Sequence, residues 1–392
     1  MTHRNKAYLY MGNWNHVTGK PGIDLAAFDQ ETGEVTFLRT LDRETSCGSL
    51  YFNRRRDILY FANETEYLPG QYGGGGRVLG YRIDRKTGEL EPLCEALTLC
   101  PNPSYVTLDH TEHYMVVSNH SSSDVVTQVE RDGDGSYHYR IICDDSTVNL
   151  YEMNPDGSIG RLLDVVKHCG AGIRPRQFHP HPHSAVCSPS GRLFAVCDKG
   201  NDGIYFYKID REKNRLVLCP GSPYQDIPGS SPRYCAFHPE KPYFFCNHEG
   251  EQVVSVFRYS EEGEVTFLGS ENVLGENFPM IPGGRYEQQD LKLHPSGRYL
   301  YSLIHGPNVD AVSVLDIDER SGGLKLIQLF GLNGKWPRGF TFSPDLQFLL
   351  AGCMVSGSLH VCRIGEDGTL SAAGDYPATQ GISCLVVVEA EE

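Results

Sequence analysis

Short runs of alternating apolar and polar residues recur along the whole chain, and a turn rich in Asp, Asn and Gly follows each of them. Runs such as 80–83 and 312–315 have the two-residue period of a β-strand. Asp, Asn and Gly supply the backbone conformations that a tight hairpin needs. The pattern therefore predicts seven β-hairpins, with turns at Asp29–Gly33, Asp84–Gly88, Asn154–Gly157, Asp210–Asn214, Ser260–Gly263, Asp318–Gly322 and Gly365–Gly368.

A second pattern precedes each hairpin: an apolar run, a turn often built on Pro or Gly, and an aromatic or aliphatic run. Residues 185–196, 291–301 and 340–350 are examples. Together the two patterns make units of about 40 to 50 residues with four strands each, which is typical of a β-propeller. We therefore predict an all-β, seven-bladed β-propeller, with residues 1–392 forming one domain.

Both ends of the chain fit a closed ring of blades. Residues 7–11 have the pattern of a second strand without a first, and residues 382–388 that of a first strand without a second. We expect the C-terminal strand to complete the N-terminal blade, because closure removes the free edges that invite aggregation.

Two stretches depart from the repeat. Residues 66–76 are rich in glycine and are expected to form a flexible loop. The third blade carries an insertion at about 121–145, in which residues 137–142 are strand-like, so that a protruding hairpin is expected. A surface decoration, a lid and an oligomer contact all fit this insertion, which leaves both a monomer and a homodimer open.

The composition is that of an ordinary globular protein, with 40% hydrophobic and 22% charged residues. The net charge of -15 argues against nucleic acid and anionic membranes as partners. No apolar run is long enough for a transmembrane helix, and residues 1–6 lack the apolar stretch of a signal peptide. The thirteen cysteines lack metal-type pairing and are typical of a reducing compartment, so the cytoplasm is expected.

The densest cluster of proton-transferring side chains is 176–184, where His179, His181 and His183 alternate. In an extended segment these three would point to one side together. In a propeller blade the start of the first strand and the end of the second strand emerge at the same face. The residues at these positions are therefore expected to line one funnel, and the titratable ones among them include Glu64, His183, Asp198, Arg233, His248, His305 and Arg338.

Each of these residues also has a structural interpretation. The two arginines follow proline at blade starts and could bond loop carbonyls, and Asp198 fits either role. Asn63, Asn119 and Asn247 stand at turn positions and are interpreted as structural. The converging arginines, histidines and carboxylate nevertheless suit a small anionic or carbonyl-bearing molecule.

Several motifs together resemble the seven-bladed propeller lactonases, a family that includes the bacterial propeller-type 6-phosphogluconolactonase and the fungal carboxymuconate cyclase. The resemblance spans nearly the whole chain, and its most specific part is Arg176-Gln177 followed by His181-Pro-His183. Further motifs are 196–202, 231–233 with 237–239, 63–64 and 336–338.

The resemblance implies a catalytic set of His, Arg, Glu and Arg. The first two are matched by His183 and Arg233. Where the family has Glu this chain has His248, with Glu249 beside it, and where the family has the second Arg this chain has His305. The loss of an arginine weakens the case for a phosphorylated substrate, and the added histidines raise a divalent metal held by His183, His248 and His305 as an alternative.

We therefore predict a metal-independent lactonase-like hydrolase that opens a sugar-acid lactone or related cyclic ester. His183 or His248 would activate water, Arg233 would hold the substrate carboxylate or the oxyanion, and Glu64 would orient a histidine or a hydroxyl. The expected substrate-binding residues are Arg176, Gln177, His181, His305 and Arg338. A lactone-forming cyclase, lyase or isomerase would use the same groups, and a non-catalytic propeller that binds a small ligand or a protein is the remaining alternative.

Overall fold

A computed structural model describes residues 6–15 and 19–391 of the chain. Most of the start of the chain, on which the signal-peptide expectation rests, lies outside the described residues. None of the residues described forms a helix of the length and apolarity needed to cross a bilayer. The strands are Lys6–Asn13 (β1), Gly22–Asp29 (β2), Val35–Asp42 (β3), Cys47–Asn53 (β4), Ile58–Asn63 (β5), Arg77–Ile83 (β6), Leu90–Leu97 (β7), Pro103–Leu108 (β8), Tyr114–Asn119 (β9), Val125–Arg131 (β10), Tyr137–Cys143 (β11), Thr147–Met153 (β12), Ile159–Lys167 (β13), Pro182–Cys187 (β14), Phe194–Asp198 (β15), Gly203–Asp210 (β16), Arg215–Leu218 (β17), Tyr224–Gln225 (β18), Pro232–Phe237 (β19), Tyr243–His248 (β20), Val253–Tyr259 (β21), Val265–Asn272 (β22), Glu287–Leu293 (β23), Tyr299–Gly306 (β24), Val309–Ile317 (β25), Leu324–Gly331 (β26), Pro337–Phe342 (β27), Phe348–Cys353 (β28), Ser358–Ile364 (β29), Leu370–Pro377 (β30) and Ile382–Glu389 (β31).

Apart from β10, β11 and the short β18, which pairs with β16, these strands form the seven antiparallel sheets of a propeller, as predicted. From the innermost strand outwards the blades are β31-β1-β2-β3, β4 to β7, β8-β9-β12-β13, β14 to β17, β19 to β22, β23 to β26 and β27 to β30. Each of the seven predicted turns joins the third and fourth strands of its blade. The predicted closure is also confirmed, because β31 pairs with β1 from Ala7↔Glu389 to Asn13↔Ile382.

The apolar core is divided among the spaces between neighbouring blades. Alternate side chains of a strand enter different clusters, because successive residues point to opposite faces of a sheet. On β31, Leu385 and Val387 pack with residues of the seventh blade, whereas Val386 and Val388 pack with residues of the second. The closing strand thus contributes to the cores on both sides of its blade.

The insertion in the third blade contains β10 and β11, which pair with each other from Val125↔Cys143 to Arg131↔Tyr137. These two strands make a separate two-stranded sheet beside the blade. Val129, Tyr137 and Tyr139 on it are exposed. The insertion follows β9, so it leaves the blade at the face where the second strands end.

Candidate active site

Every blade begins its inner strand with a β-bulge at the same end of the molecule. In the fourth blade, for example, Pro182 pairs with Asp198 and Ser184 with Cys197, so that His183 is the additional residue. A bulge re-aims a side chain and bends its strand, which here turns the additional residue towards the central axis. The residues within the seven bulges are Gly48, Ser104, His183, Arg233 with Tyr234, Gln289 with Asp290, Arg338 and Ser383.

The residues at the ends of the second strands also follow a regular pattern. The first residue after β1, β5, β9, β15 and β20 lines a common cavity of about 860 Å³ at the mouth of the ring. The last residue within each of these strands is buried instead, and its side chain hydrogen-bonds other protein groups. The five lining residues are Trp14, Glu64, His120, Lys199 and Glu249.

The remaining wall of the cavity is also rich in charge. Arg176, Arg285 and Arg338 lie on it, together with Glu66 and Glu287. His181, His183, Gln177 and Gln289 add polar groups, and Tyr67, Phe178 and Trp336 add aromatic surface to that of Trp14. Cations and carboxylates are therefore nearly balanced in the cavity, although the whole chain has a net charge of -15.

Glu249 is the centre of a cluster of cations on one side of the cavity. Its carboxylate accepts hydrogen bonds from Lys199 Nζ at 2.8 Å and Arg233 Nε at 3.1 Å, and Arg285 lies 3.6 Å away. Burial alone would raise the pKa of Glu249, but the charges of Lys199 and Arg233 hold that pKa well below its usual range. Glu249 is therefore an anion that fixes these cations in place.

Arg233 lies behind this cluster and is fully buried. Its Nη1 donates to the carbonyl of Gln289 at 2.6 Å, and its guanidinium lies over the ring of Tyr234 at 4.8 Å. Its Nη2 is buried without a hydrogen-bond partner in the described part of the chain. Arg233 is not part of the cavity surface, so its charge acts on the cavity from immediately beneath the wall.

Glu64 projects into the space left by the glycine of the second bulge. A Cβ at Gly48 would collide with the Glu64 carboxylate, so the missing side chain makes room for it. Burial raises the pKa of Glu64 to about 7, although Arg338, Lys199 and Arg233 act in the opposite direction. A carboxyl group that titrates near neutral pH is suited to take and return a proton.

The histidines near the cavity are neutral at neutral pH. Burial, reinforced by the charge of Arg233, lowers the pKa of His183 well below its usual value. Burial and the charge of Lys199 lower the pKa of His181 to about 4. The rings of His120 and His181 stack 4.4 Å apart, and His181 Nδ1 lies 2.8 Å from the carbonyl of His120. Because a carbonyl only accepts, Nδ1 carries the proton and Nε2 is left as an acceptor.

The structure places Glu64, His183, His181, Arg176 and Arg338 on the wall of one cavity, whereas other residues named from the sequence do not reach its surface. His179 precedes β14 and bonds the carbonyl of Ser122 through Nε2 at 3.0 Å, so it does not line the cavity with His181 and His183. Gln177 lines the cavity, yet its amide nitrogen donates to Asp202 at 2.6 Å and to the carbonyl of Lys199 at 2.9 Å.

His248 and His305 lie outside the cavity wall, because each is near the end of a second strand and bonds a carboxylate away from the cavity. His248 donates to Asp226 Oδ2 at 2.7 Å, and although burial lowers its pKa, the hydrogen bond and charge of Asp226 raise it above the usual value. His305 donates to Asp310 Oδ1 at 2.7 Å. Asp198 has the same kind of role, since its carboxylate accepts from His168 and from the backbone of His181.

The alternative of a metal held by His183, His248 and His305 is not supported by their placement, since only His183 of the three lines the cavity. Within residues 6–15 and 19–391, no three His, Cys, Asp or Glu side chains are grouped so that they could hold a metal ion.

Two charged residues of the site, Lys199 and Arg285, were missed by the sequence interpretation, and Glu249 was noted beside His248 without a role. The signal for Lys199 and Glu249 was present, since each is the first residue after a second strand, as Glu64 is. The interpretation placed Asp198 at the funnel and gave the catalytic role to His248, one position too early in each blade. Arg285 precedes β23 by two residues in an irregular segment, and no pattern in the sequence singles it out.

Comparison with known proteins gives consistent similarities. Residues 8–387 match the family model described as "Lactonase, 7-bladed beta-propeller". The chain is 26% identical over 339 residues to the 6-phosphogluconolactonase of Bacillus subtilis, covering 86% of this chain and 85% of that protein. It is 24% identical over 380 residues to the 6-phosphogluconolactonase of Formosa agariphila, covering 96% of this chain and 98% of that protein. The periplasmic gluconolactonase of Pseudomonas aeruginosa has the same fold, with a TM-score of 0.82, 24% identity and coverage of 98% of this chain and 99% of that chain.

Proposed function

The chain belongs to the seven-bladed β-propeller lactonase family, and from this premise we propose that it hydrolyses sugar-acid lactones with Glu64 as the general base. The observation that carries this proposal is the position of the Glu64 carboxylate, which lies against Gly48 in a cavity that also holds Arg338 and Lys199 and where burial raises its pKa to about 7. A base works best when its pKa lies near the working pH. His183 is a poorer base than expected from the sequence, because its lowered pKa leaves little affinity for a proton.

In the proposed reaction the Glu64 carboxylate removes a proton from water, and the resulting hydroxide attacks the carbonyl carbon of the lactone. The negative charge that develops on the carbonyl oxygen is stabilised by Arg338 and Lys199, with the charge of Arg233 behind them. The ring C–O bond then breaks, and protonated Glu64 returns its proton to the departing ring oxygen. One water is added in total, and the product acid releases its proton to solvent.

Arg176 is proposed to bind an anionic group of the substrate that is remote from the reacting carbonyl. This arginine is exposed on the cavity wall, and it forms no ion pair with any residue in the described ranges. A guanidinium of this kind suits a carboxylate or a phosphate. Relatives named 6-phosphogluconolactonase make the phosphorylated lactone of gluconic acid the first candidate substrate, and the unphosphorylated lactone is the second. A lower KM for the phosphorylated lactone that is lost in Arg176→Gln would support the first.

The decisive experiment compares Glu64→Gln with the unaltered protein in the hydrolysis of both lactones, followed by NMR of the ring-opened acid. Gln keeps the size of the side chain but takes no proton, so kcat is expected to fall about 100-fold or more. Glu66→Gln, which alters a second carboxylate of the same wall, is the matched control and is expected to stay within about threefold. Full activity of Glu64→Gln would overturn the proposal, and a rearranged isomer in place of the acid would favour the cyclase or isomerase alternative.

A further inference from the structure

The chain contains only two tryptophans, Trp14 and Trp336, and both line the cavity. Trp336 immediately precedes the inner strand of the seventh blade, and its backbone has a φ of +61°. Bulky residues rarely adopt positive φ, because the Cβ then crowds the following carbonyl. Such an outlier persists only where the surrounding structure enforces it, and outliers of this kind cluster at ligand sites.

The same backbone conformation recurs at the equivalent position of two other blades, where the residue is small and polar. Asn102 and Ser231 precede the inner-strand prolines of the third and fifth blades, as Trp336 precedes Pro337, and each has a φ of +54°. Small polar residues tolerate this conformation better than aromatic ones. The backbone conformation before the inner strand therefore does not require tryptophan, and the reason for an indole at position 336 lies in the contacts of its ring.

The ring is held by a dedicated set of contacts. Asp310 Oδ1 accepts hydrogen bonds from the backbone N–H of Trp336 at 2.9 Å and from His305 Nδ1 at 2.7 Å. Asp310 Oδ2 accepts from Lys335 Nζ at 2.8 Å. The imidazole of His305 lies parallel to the indole, with ring centroids 4.6 Å apart and an angle of 9° between the planes. One carboxylate thus fixes both the backbone of Trp336 and the ring that supports one face of its indole.

We propose that the surface of the Trp336 indole left open to the cavity is the platform on which the ring of a cyclic sugar-acid ester stacks. The C–H bonds on one face of such a ring are electron-poor, whereas the face of an indole is electron-rich. His305 and Asp310 are positioning residues, since they set the angle of the platform without lining the cavity. His120 and His181, which line the cavity from the third and fourth blades, then offer their acceptor Nε2 atoms to the hydroxyls of the sugar. The inference rests on the proposed function for the class of substrate.

Because the chain contains only two tryptophans, ligand binding at Trp336 can be followed by fluorescence. Trp14→Phe keeps an aromatic ring beneath Arg338 and leaves Trp336 as the only tryptophan. The fluorescence of this variant is titrated with the δ-lactam of gluconic acid, a slowly hydrolysed cyclic analogue, and with open-chain gluconate as the matched probe without a ring. A saturable change in the emission with the lactam, and a much weaker one with gluconate, is expected.

Kinetics of Trp336→Asn distinguish a platform from a structural residue. Asn is the residue at the equivalent position 102, so the thermal unfolding midpoint is expected to be unchanged or higher. Loss of the stacking contact is expected to raise KM for the lactone about tenfold while kcat changes less. Trp336→Phe should recover part of this loss, and His305→Ala should raise KM with kcat unchanged, because the indole loses its support.

The outcomes separate this inference from the proposed lactone hydrolysis. Unchanged KM in Trp336→Asn, together with unchanged fluorescence on addition of the lactam, would overturn the platform and leave the hydrolase standing. A lower unfolding midpoint with unchanged KM would assign Trp336 a structural role and likewise overturn it. A fluorescence change without turnover of any lactone would support the platform and overturn the hydrolase.

Discussion

At the scale of single residues, the site depends on one environment acting in opposite ways on two kinds of group. Burial disfavours the charged form of any side chain, so it raises the pKa of the Glu64 carboxyl and lowers the pKa of the His183 imidazole. Both groups are close to the same cations, which oppose the first shift and reinforce the second. The carboxyl and not the imidazole therefore titrates in the range where an enzyme at neutral pH needs a base.

The pH dependence of the rate follows from this assignment. Glu64 must be ionised to act as a base, so kcat/KM is expected to rise with pH through about 7 and to level off above it. A profile of kcat/KM measured between pH 5.5 and about 8 checks this, with the spontaneous hydrolysis of the lactone subtracted. A profile that is flat through pH 7 would exclude Glu64 as the base.

The stability of the protein provides an independent control for the same pKa. A carboxyl whose pKa is raised on folding contributes stability below its unfolded pKa, and this contribution is lost as the pH rises through the folded value. The unaltered protein should therefore lose stability as pH rises through about 7, whereas Glu64→Gln should not. The difference between their free energies of unfolding is expected to change by at most about 3 kcal/mol. Denaturant titrations at pH 5 and about 8 measure this difference, and an equal difference at both values would contradict the raised pKa.

At the scale of strands, a shift of one residue decides which side chains reach the cavity. Successive side chains of a strand point to opposite sides, so the last residue of a second strand faces the blade and the next one faces the axis. This is why His248 bonds Asp226 while Glu249 binds Lys199 and Arg233. The sequence identified the strands and their ends closely, but locating the site residues required the register to a single position.

The bulge at the second blade offers a test of this geometry. Gly48→Ala would place a methyl group against the Glu64 carboxylate, so that the carboxylate must move away from its present position. We expect kcat to fall about tenfold or more, since small displacements of a catalytic group are costly. Gly331→Ala is the matched control, because a Cβ at Gly331 meets open space. If both variants were as active as the unaltered protein, Gly48 would not be needed to make room for the Glu64 carboxylate.

At the scale of the whole molecule, the cavity exists only because the ring is closed. Trp14 follows β1, which pairs with β31 from the other end of the chain, and Arg338 lies over the Trp14 ring at 4.8 Å. The clusters on the two sides of the first blade both contain residues of β31. The position of Trp14 on the cavity wall therefore depends on the last strand in the sequence, although no residue of that strand lines the cavity.

Removal of residues 382–392 tests this dependence. The buried side chains of β31, Ile382 and 385–388, each stabilise the fold by roughly 2 kcal/mol, and together they rival the total stability of a typical protein. The shortened chain is expected to aggregate or to unfold at a much lower temperature, as size-exclusion chromatography and thermal unfolding would show. A chain lacking only residues 390–392 keeps β31 and is the control. A shortened chain that is monomeric and equally stable would disprove the closure.

The sequence by itself determined the strands, the seven turns, the closure and the family, since these follow from local periodicity and from the conformational needs of Asp, Asn and Gly. It also identified Glu64, His181 and His183 as residues near one funnel. Only the tertiary structure decided that Lys199 and Arg285 share that cavity with Glu249, and that His305 supports Trp336 from behind. The physical reason is that the direction of a side chain at a strand end depends on bulges and pairing register, and its pKa depends on the burial and charges contributed by other blades.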